Sequence, residues 1–218
     1  MTDKLLGHLE LFATPVAKYH FEDHQEIKKT ILKIIETADE KGLGVQVGYG
    51  NINHYYNDGD LSEKVPELKS LIERIKNCVA DYAEQYFGMV DKDFVDLNSW
   101  INSTTGGVQP GHIHNNSLFS ATYYVQNDPT KHVGLDFLSP KNLIARDPLI
   151  SVQEDRETLF NQRAVKLSVE EGDLLIWPSE VLHGYEQPPV DVPRISLSMN
   201  FMPSVVKSHL YGFRVSKL

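Results

Sequence analysis

Three histidines and one arginine carry the chemistry of this chain. His112 and His114 alternate within Pro110-Gly111-His112-Ile113-His114-Asn115, His183 follows 69 residues later, and Arg194 lies 11 residues beyond it. In an extended segment, residues two apart project to the same side, so His112 and His114 aim their imidazoles into one space while Ile113 turns into the wall. Imidazole nitrogens suit Fe, Zn, Cu and Ni, so the residue type asks for a mononuclear transition-metal site without choosing the metal. Arg194 opens an Arg-Ile-Ser step that puts Ser196 on its own face. A guanidinium fork beside a hydroxyl can grip the carboxylate of an acidic co-substrate bidentately, with one further donor. Tyr124, in Tyr123-Tyr124-Val125, can add a phenol to that carboxylate; neighbours on a strand face opposite ways, which leaves Tyr123 for the core. A lone histidine near a strand end is ordinarily structural, but three at this spacing with an arginine beyond them point to a site. His8, His20, His24, His54, His132 and His209 lack such partners and read as surface or core residues.

Something must hold these side chains together, and the chain divides into two textures. In residues 22–41, Ile27, Ile31, Ile34, Ile35 and Ala38 recur at three- and four-residue steps, with Gly42 as a stop. In residues 66–87, Leu68, Leu71, Ile72, Ile75, Val79, Tyr82 and Tyr86 form a second helical stripe, opened by Pro66 and ended by Gly88. Residues 42–60, rich in Gly, Asn and Tyr, read as a loop or irregular hairpin. From residue 94 the pattern turns to short strands at 97–103, 118–126, 133–138, 164–169, 173–177 and 194–202. Gly106, Gly107, Pro110 and Gly111 predict a tight entry into the strand that carries His112. His183 comes just after the strand that ends at Pro178, so the two histidine-bearing segments can lie side by side at the mouth of a rolled sheet. The polar stretch 139–162 reads equally as a lid over the site or a passive excursion. The fold class is mainly β with flanking helices: a jelly-roll barrel buttressed by N-terminal helices. One domain over 1–218 is expected, with a helical part at 1–93 and the barrel core at 94–218.

The balance of 30 acidic against 21 basic residues, spread along the chain, disfavours nucleic acid and anionic membranes as partners, because both need a basic face. Cys78 is the single cysteine and falls in the second helical stripe, as a buried free thiol in a reducing compartment would. The start of the chain lacks a signal-peptide apolar core, and no run approaches the roughly 20 apolar residues of a membrane helix. A soluble, cytoplasmic protein is the expectation.

These residues, in this order, resemble the Fe(II)- and 2-oxoglutarate-dependent oxygenases with a double-stranded β-helix (jelly-roll, cupin-like) fold. The family pattern is His-x-Asp, an aromatic strand, a distant His and then an Arg; here it is met by His112-Ile113-His114, the strand through Tyr124, His183 and Arg194-Ile195-Ser196. The chain is similar in particular to the 2OG-Fe(II) oxygenases of bacteria and phages. It shares with them Leu11-Phe12-Ala13-Thr14-Pro15, Trp100-Ile101-Asn102, the Pro110–His114 segment and Gly172-Asp173-Leu174-Leu175-Ile176-Trp177-Pro178-Ser179. The resemblance implies Fe(II) held by His112, His114 and His183, and 2-oxoglutarate anchored by Arg194, Ser196 and Tyr124. It also implies O2 as co-substrate and hydroxylation of a small molecule or protein side chain, with succinate and CO2 as products. Trp100, Asn102, Gln109 and Asn116 are candidates for substrate contact, each with an alternative in packing or turn hydrogen bonds. One departure is plain: His114 stands where the family places a carboxylate, leaving a bound Fe(II) at 2+ rather than 1+. Asp136 is a candidate for supplying that carboxylate from elsewhere. Two other readings stay open: a three-histidine, cupin-type dioxygenase that does not use 2-oxoglutarate, and a non-catalytic jelly-roll module.

Overall fold

The structure is a computed structural model, and it describes residues 13–57, 59, 61–139, 155–156, 158, 161–207 and 209–216. The 139–162 stretch read as a lid or excursion therefore lies mostly outside the described residues, as do His8, Leu11 and Phe12. Both long helices form on the apolar steps. Helix α1 (His24–Glu40) buries Ile31, Ile35 and Ala38. A single turn, α2 (Leu61–Lys64), and a 3-10 turn at Pro66–Leu68 lead into α3 (Lys69–Phe87), which buries Leu71, Ile72, Ile75, Val79 and Tyr82. Gly88 ends α3 at φ 62°, its N–H donating to the Glu84 carbonyl while that of Met89 donates to Ala83. That left-handed closure is open to glycine at little steric cost.

The strands are β1 (Ala17–His20), β2 (Val45–Gln46), β3 (Tyr49–Tyr55), β4 (Phe94–His112), β5 (Phe119–Gln126), β6 (Asp136–Leu138), β7 (Ala164–Lys166), β8 (Asp173–Pro178), β9 (His183–Gln187) and β10 (Arg194–Pro203). A separate hairpin, β11 (Val205–Lys207) with β12 (Gly212–Arg214), follows. The sheet runs β1-β8-β5-β10-β4-β9-β6-β7, with β3 added on β4 and β2 on β3, and its pairings are antiparallel. Strand β4 is the pivot. Its first part pairs with β10, its middle with β3, and its end with β9, so one curled sheet supplies both walls of a jelly roll.

Gly106 and Gly107, expected as an entry to the strand, instead sit inside β4 at φ 150° and 139°. A side chain on Gly107 would run into the Tyr49 carbonyl, so the backbones of β3 and β4 need glycine to approach here. The first 93 residues are also not purely helical: β1 closes one edge of the sheet against β8, and the Gly/Asn/Tyr-rich segment is the hairpin β2–β3 packed on β4.

Strand alternation separates two clusters. Leu174, Ile176 and Tyr123 face the helices, where Tyr123 meets Phe21 at 5.3 Å between ring centroids. Their neighbours Leu175, Trp177 and Tyr124 face into the roll with Leu135, Phe137 and Val169. The helices thus cover one face of the sheet and leave the other to line a cavity. Among the described residues, no helix is long and apolar enough to cross a membrane.

Candidate metal and anion site

The register aligns inward-facing side chains into rows. Tyr124, Ser196, Asn102 and His54 stand side by side on β5, β10, β4 and β3. The next row holds Thr122, Ser198 and Trp100, and the one after it Ser120, Asn200 and Asn98. These rows are hydrogen-bonded across strands. The Asn102 amide donates to Ser196 Oγ (3.3 Å) and Ser198 Oγ (2.9 Å), and its Oδ1 accepts from the Trp100 indole (3.0 Å). Ser120 Oγ donates to Asn200 Oδ1 (2.8 Å), and Asn200 Nδ2 donates to Asn98 Oδ1 (3.0 Å).

At the mouth, His112 at the end of β4 is the register partner of His183 at the start of β9. His114 lies two residues past His112, its backbone N–H held by the Ser179 carbonyl at 3.0 Å. One ring nitrogen from each of the three histidines lies within 4.8 Å of the others. Two of the rings are set by their own chain: Nδ1 of His112 lies 2.9 Å from the Pro110 carbonyl and Nδ1 of His183 2.8 Å from that of Val181. A carbonyl only accepts, so each Nδ1 carries the proton and each Nε2 keeps a bare lone pair for an ion. Burial holds His114 down to about 4 and His183 down to about 3, the latter opposed by the Val181 carbonyl and reinforced by the neighbouring imidazoles. Both are therefore neutral near pH 7, the form that ligates a metal.

Deeper in the same cavity lies Arg194, 1% exposed, with Nε and Nη1 buried and without hydrogen-bond partners. Its Cζ sits 4.5 Å from the centre of the Tyr185 ring and 5.1 Å from that of Tyr124. Burial raises both phenols, while the adjacent guanidinium pulls them back down. The Tyr124 hydroxyl is itself buried and without a hydrogen-bond partner. A cation in this position needs an anion, and the cavity, about 490 Å³ with its open mouth, offers no acidic side chain among the described residues that line it. The donor set fits the two groups the sequence asked for: neutral imidazoles for a divalent ion, and a buried fork with a hydroxyl for a carboxylate.

Asn102, Trp100 and Gln109 line the cavity; Asn102 is committed to the serines, whereas Gln109 Oε1 is buried with no hydrogen-bond partner. Asn116 is exposed in the turn after His114 and does not line it. Asp136 does not supply a carboxylate. It pairs with Gly184 next to Phe137, whose side chain meets Trp177 and His183, so alternation turns Asp136 to the opposite face, towards Lys166 at 3.8 Å. His54, read from the sequence as a surface or core residue, lines the cavity with its ring 5.7 Å from that of Trp100. Tyr185 was also missed. Finding either requires knowing that β3 and β9 flank β4, and a two-residue offset from His183 is the only local hint of Tyr185.

Residues 98–200 match the family model described as "Putative 2OG-Fe(II) oxygenase", and the resemblance carried by the sequence is borne out. No curated protein matches this chain. Among solved structures, it is similar to the non-heme α-ketoglutarate-dependent carbocyclase SnoK of nogalamycin biosynthesis (16% identity, TM-score 0.64, 88% of this chain and 80% of that one). It is also similar to the epimerase SnoN in complex with Fe3+, α-ketoglutarate and nogalamycin RO (13%, 0.59, 88% and 80%). A prolyl-4-hydroxylase from Pseudomonas putida is a third (14%, 0.57, 88% and 94%). At these identities the likeness establishes the shared jelly-roll fold.

Proposed function

We propose that this chain, a relative of the 2OG-Fe(II) oxygenases through residues 98–200, is an Fe(II)- and 2-oxoglutarate-dependent oxygenase that hydroxylates its substrate. The observation that carries the reading is the buried Arg194 guanidinium, with Nε and Nη1 lacking hydrogen-bond partners, in the same cavity as three converging imidazoles. When bound, Fe(II) and 2-oxoglutarate supply oxidative decarboxylation to succinate and CO2, coupled to oxidation of a substrate C–H bond by O2.

The chain's own residues then have separable tasks. His112, His114 and His183 hold the ion, and the Pro110 and Val181 carbonyls fix two of the rings in the ligating tautomer. Arg194 would hold the distal carboxylate of 2-oxoglutarate. The Ser196 hydroxyl accepts from Asn102 and so has its own proton to donate, and the Tyr124 phenol supplies a further donor. Asn102 thereby serves the co-substrate rather than the substrate. Trp100, Gln109 and His54 remain on the cavity wall for the substrate, and burial holds His54 down to about 4, so it meets the substrate as a neutral ring. One fold relative is an epimerase in complex with nogalamycin RO and another is a prolyl-4-hydroxylase, so the substrate is left as a small molecule or a protein side chain.

The test is succinate formation from 2-oxoglutarate by anaerobically reconstituted Fe(II) protein on exposure to O2, beside Arg194→Ala. Arg194-dependent succinate is the expected result. The neutral His114 favours a second reading, three-histidine oxygenation without a 2-oxo acid. That reading would be supported by O2 uptake indifferent to both 2-oxoglutarate and Arg194.

A further inference from the structure

Tyr185 occupies a position that the proposed chemistry has not yet used. It lies two residues after His183 on β9, so the two side chains leave the strand on the same face and enter the same cavity. His183 reaches the imidazole cluster; the Tyr185 ring reaches Arg194, closer than the Tyr124 ring does. Arg194 belongs to β10 and Tyr185 to β9, strands separated by β4 in the sheet. The Tyr185–Arg194 contact therefore spans the curl of the sheet and ties the anion anchor to the strand that begins with a metal-ligand candidate.

This arrangement has two physical consequences. A guanidinium attracted to an aromatic face is restrained from swinging out of its plane, and Nε and Nη1 of Arg194 make no hydrogen bonds that would hold it instead. The separation between the cation and the imidazoles is also set in part by one rigid two-residue step along β9. A 2-oxo dicarboxylic acid must span that separation, with its oxo-acid end at the ion and its far carboxylate at Arg194.

We propose that Tyr185 is a positioning residue for the co-substrate: it fixes the Arg194 guanidinium relative to the histidine cluster and so makes the site selective for the chain length of 2-oxoglutarate. The inference rests on the oxygenase reading above, and it goes beyond that reading by assigning co-substrate selectivity to a side chain outside the expected anchor set of Arg194, Ser196 and Tyr124.

The experiment is calorimetric titration of Zn(II)-loaded protein, a redox-inert form, with 2-oxoglutarate, 2-oxoadipate and pyruvate, in wild type, Tyr185→Phe and Tyr185→Leu. Zinc content is measured in parallel to show that each variant keeps its ion. Tyr185→Leu is expected to weaken 2-oxoglutarate about tenfold, equivalent to about 1.4 kcal/mol, and to narrow its advantage over 2-oxoadipate. Pyruvate, which has no distal carboxylate, should change little, and Tyr185→Phe, which keeps the ring, should stay within about threefold of wild type. Wild-type affinity for 2-oxoglutarate in Tyr185→Leu would overturn the proposal and leave the oxygenase reading standing. So would an equal loss for 2-oxoglutarate and pyruvate, which would mean general damage to the site. A zinc-loaded wild type that does not bind 2-oxoglutarate at all would bring down the oxygenase reading, and the role of Tyr185 with it.

Discussion

A guanidinium buried to 1% exposure, with Nε and Nη1 lacking a protein hydrogen-bond partner, is costly to hold without an anion beside it. Two tyrosine rings recover part of that cost, each by about 0.5–2 kcal/mol. Arg194→Met, which keeps the length and discards the charge, should therefore leave the melting temperature of the ligand-free protein unchanged or raise it. The same variant should abolish the thermal shift that 2-oxoglutarate gives the Zn(II)-loaded wild type, a shift worth about 2.7 kcal/mol at a hundredfold excess over Kd. A strongly destabilised Arg194→Met would instead make Arg194 a structural residue. His114 poses a different question, since it replaces a carboxylate. If its imidazole is a ligand, His114→Ala should lower metal affinity more than about tenfold, while His114→Asp, with a donor at the same place, should retain one ion per chain after dialysis. Metal content in His114→Ala equal to wild type would remove it from the ligand set.

Among the elements, β4 matters most, because one strand carries Trp100, Asn102, Gln109 and His112 past three partners in turn. Its bend depends on glycine. In Gly107→Ala the new methyl group meets the Tyr49 carbonyl at φ 139°, where a side chain is strained regardless of space. We expect a loss of about 2–3 kcal/mol, read as a lower melting temperature, together with faster amide exchange in β3. An alanine tolerated without either effect would show that β3 does not need this approach. The same strand shows what the sequence could and could not tell. Trp100 and Asn102, candidates for substrate contact in the sequence, do line the cavity, and the six strand segments fall where the sequence puts them. The helical stripes of α1 and α3 were equally plain, because apolar steps repeat over several turns. What stayed hidden depends on pairing. β9 is five residues of mixed polarity and β1 only four, and although the 42–60 segment reads as a loop or irregular hairpin, nothing local shows that the hairpin β2–β3 packs on β4, where Gly48 and Gly50 serve close backbone contact. His54 and Tyr185 sit on those concealed strands, which is why neither was recognised as part of the site, whereas His112, His183 and Arg194 announced themselves by residue type and spacing.

At the level of the whole molecule, the cavity makes stability depend on pH in a definite direction. His54, His114 and His183 are held at about 4, about 4 and about 3, chiefly by burial, against 6.5 for an ordinary imidazole. Between those values the unfolded chain binds protons that the folded chain refuses, so stability is full above about pH 6.5 and declines as the pH falls towards 4. The exposed carboxylates with lowered values, such as Asp23 and Asp128, start from 3.8 and weaken the fold only at more acid pH. Asp136, raised by burial, acts in the opposite sense. The histidines set the downward slope from pH 6.5 towards about 4.5. Metal-free protein should lose melting temperature steadily across that window. His54→Leu should flatten the slope without touching the ion, since His54 lies outside the three-histidine cluster. Saturating Zn(II) should flatten it further by holding His114 and His183 in their neutral forms, until protons outcompete the ion at the lower end. A melting temperature constant from pH 7 to 4.5 in the metal-free protein would mean that water reaches these rings freely. The cavity would then be too wet to hold Arg194 as the desolvated cation on which the anion site depends.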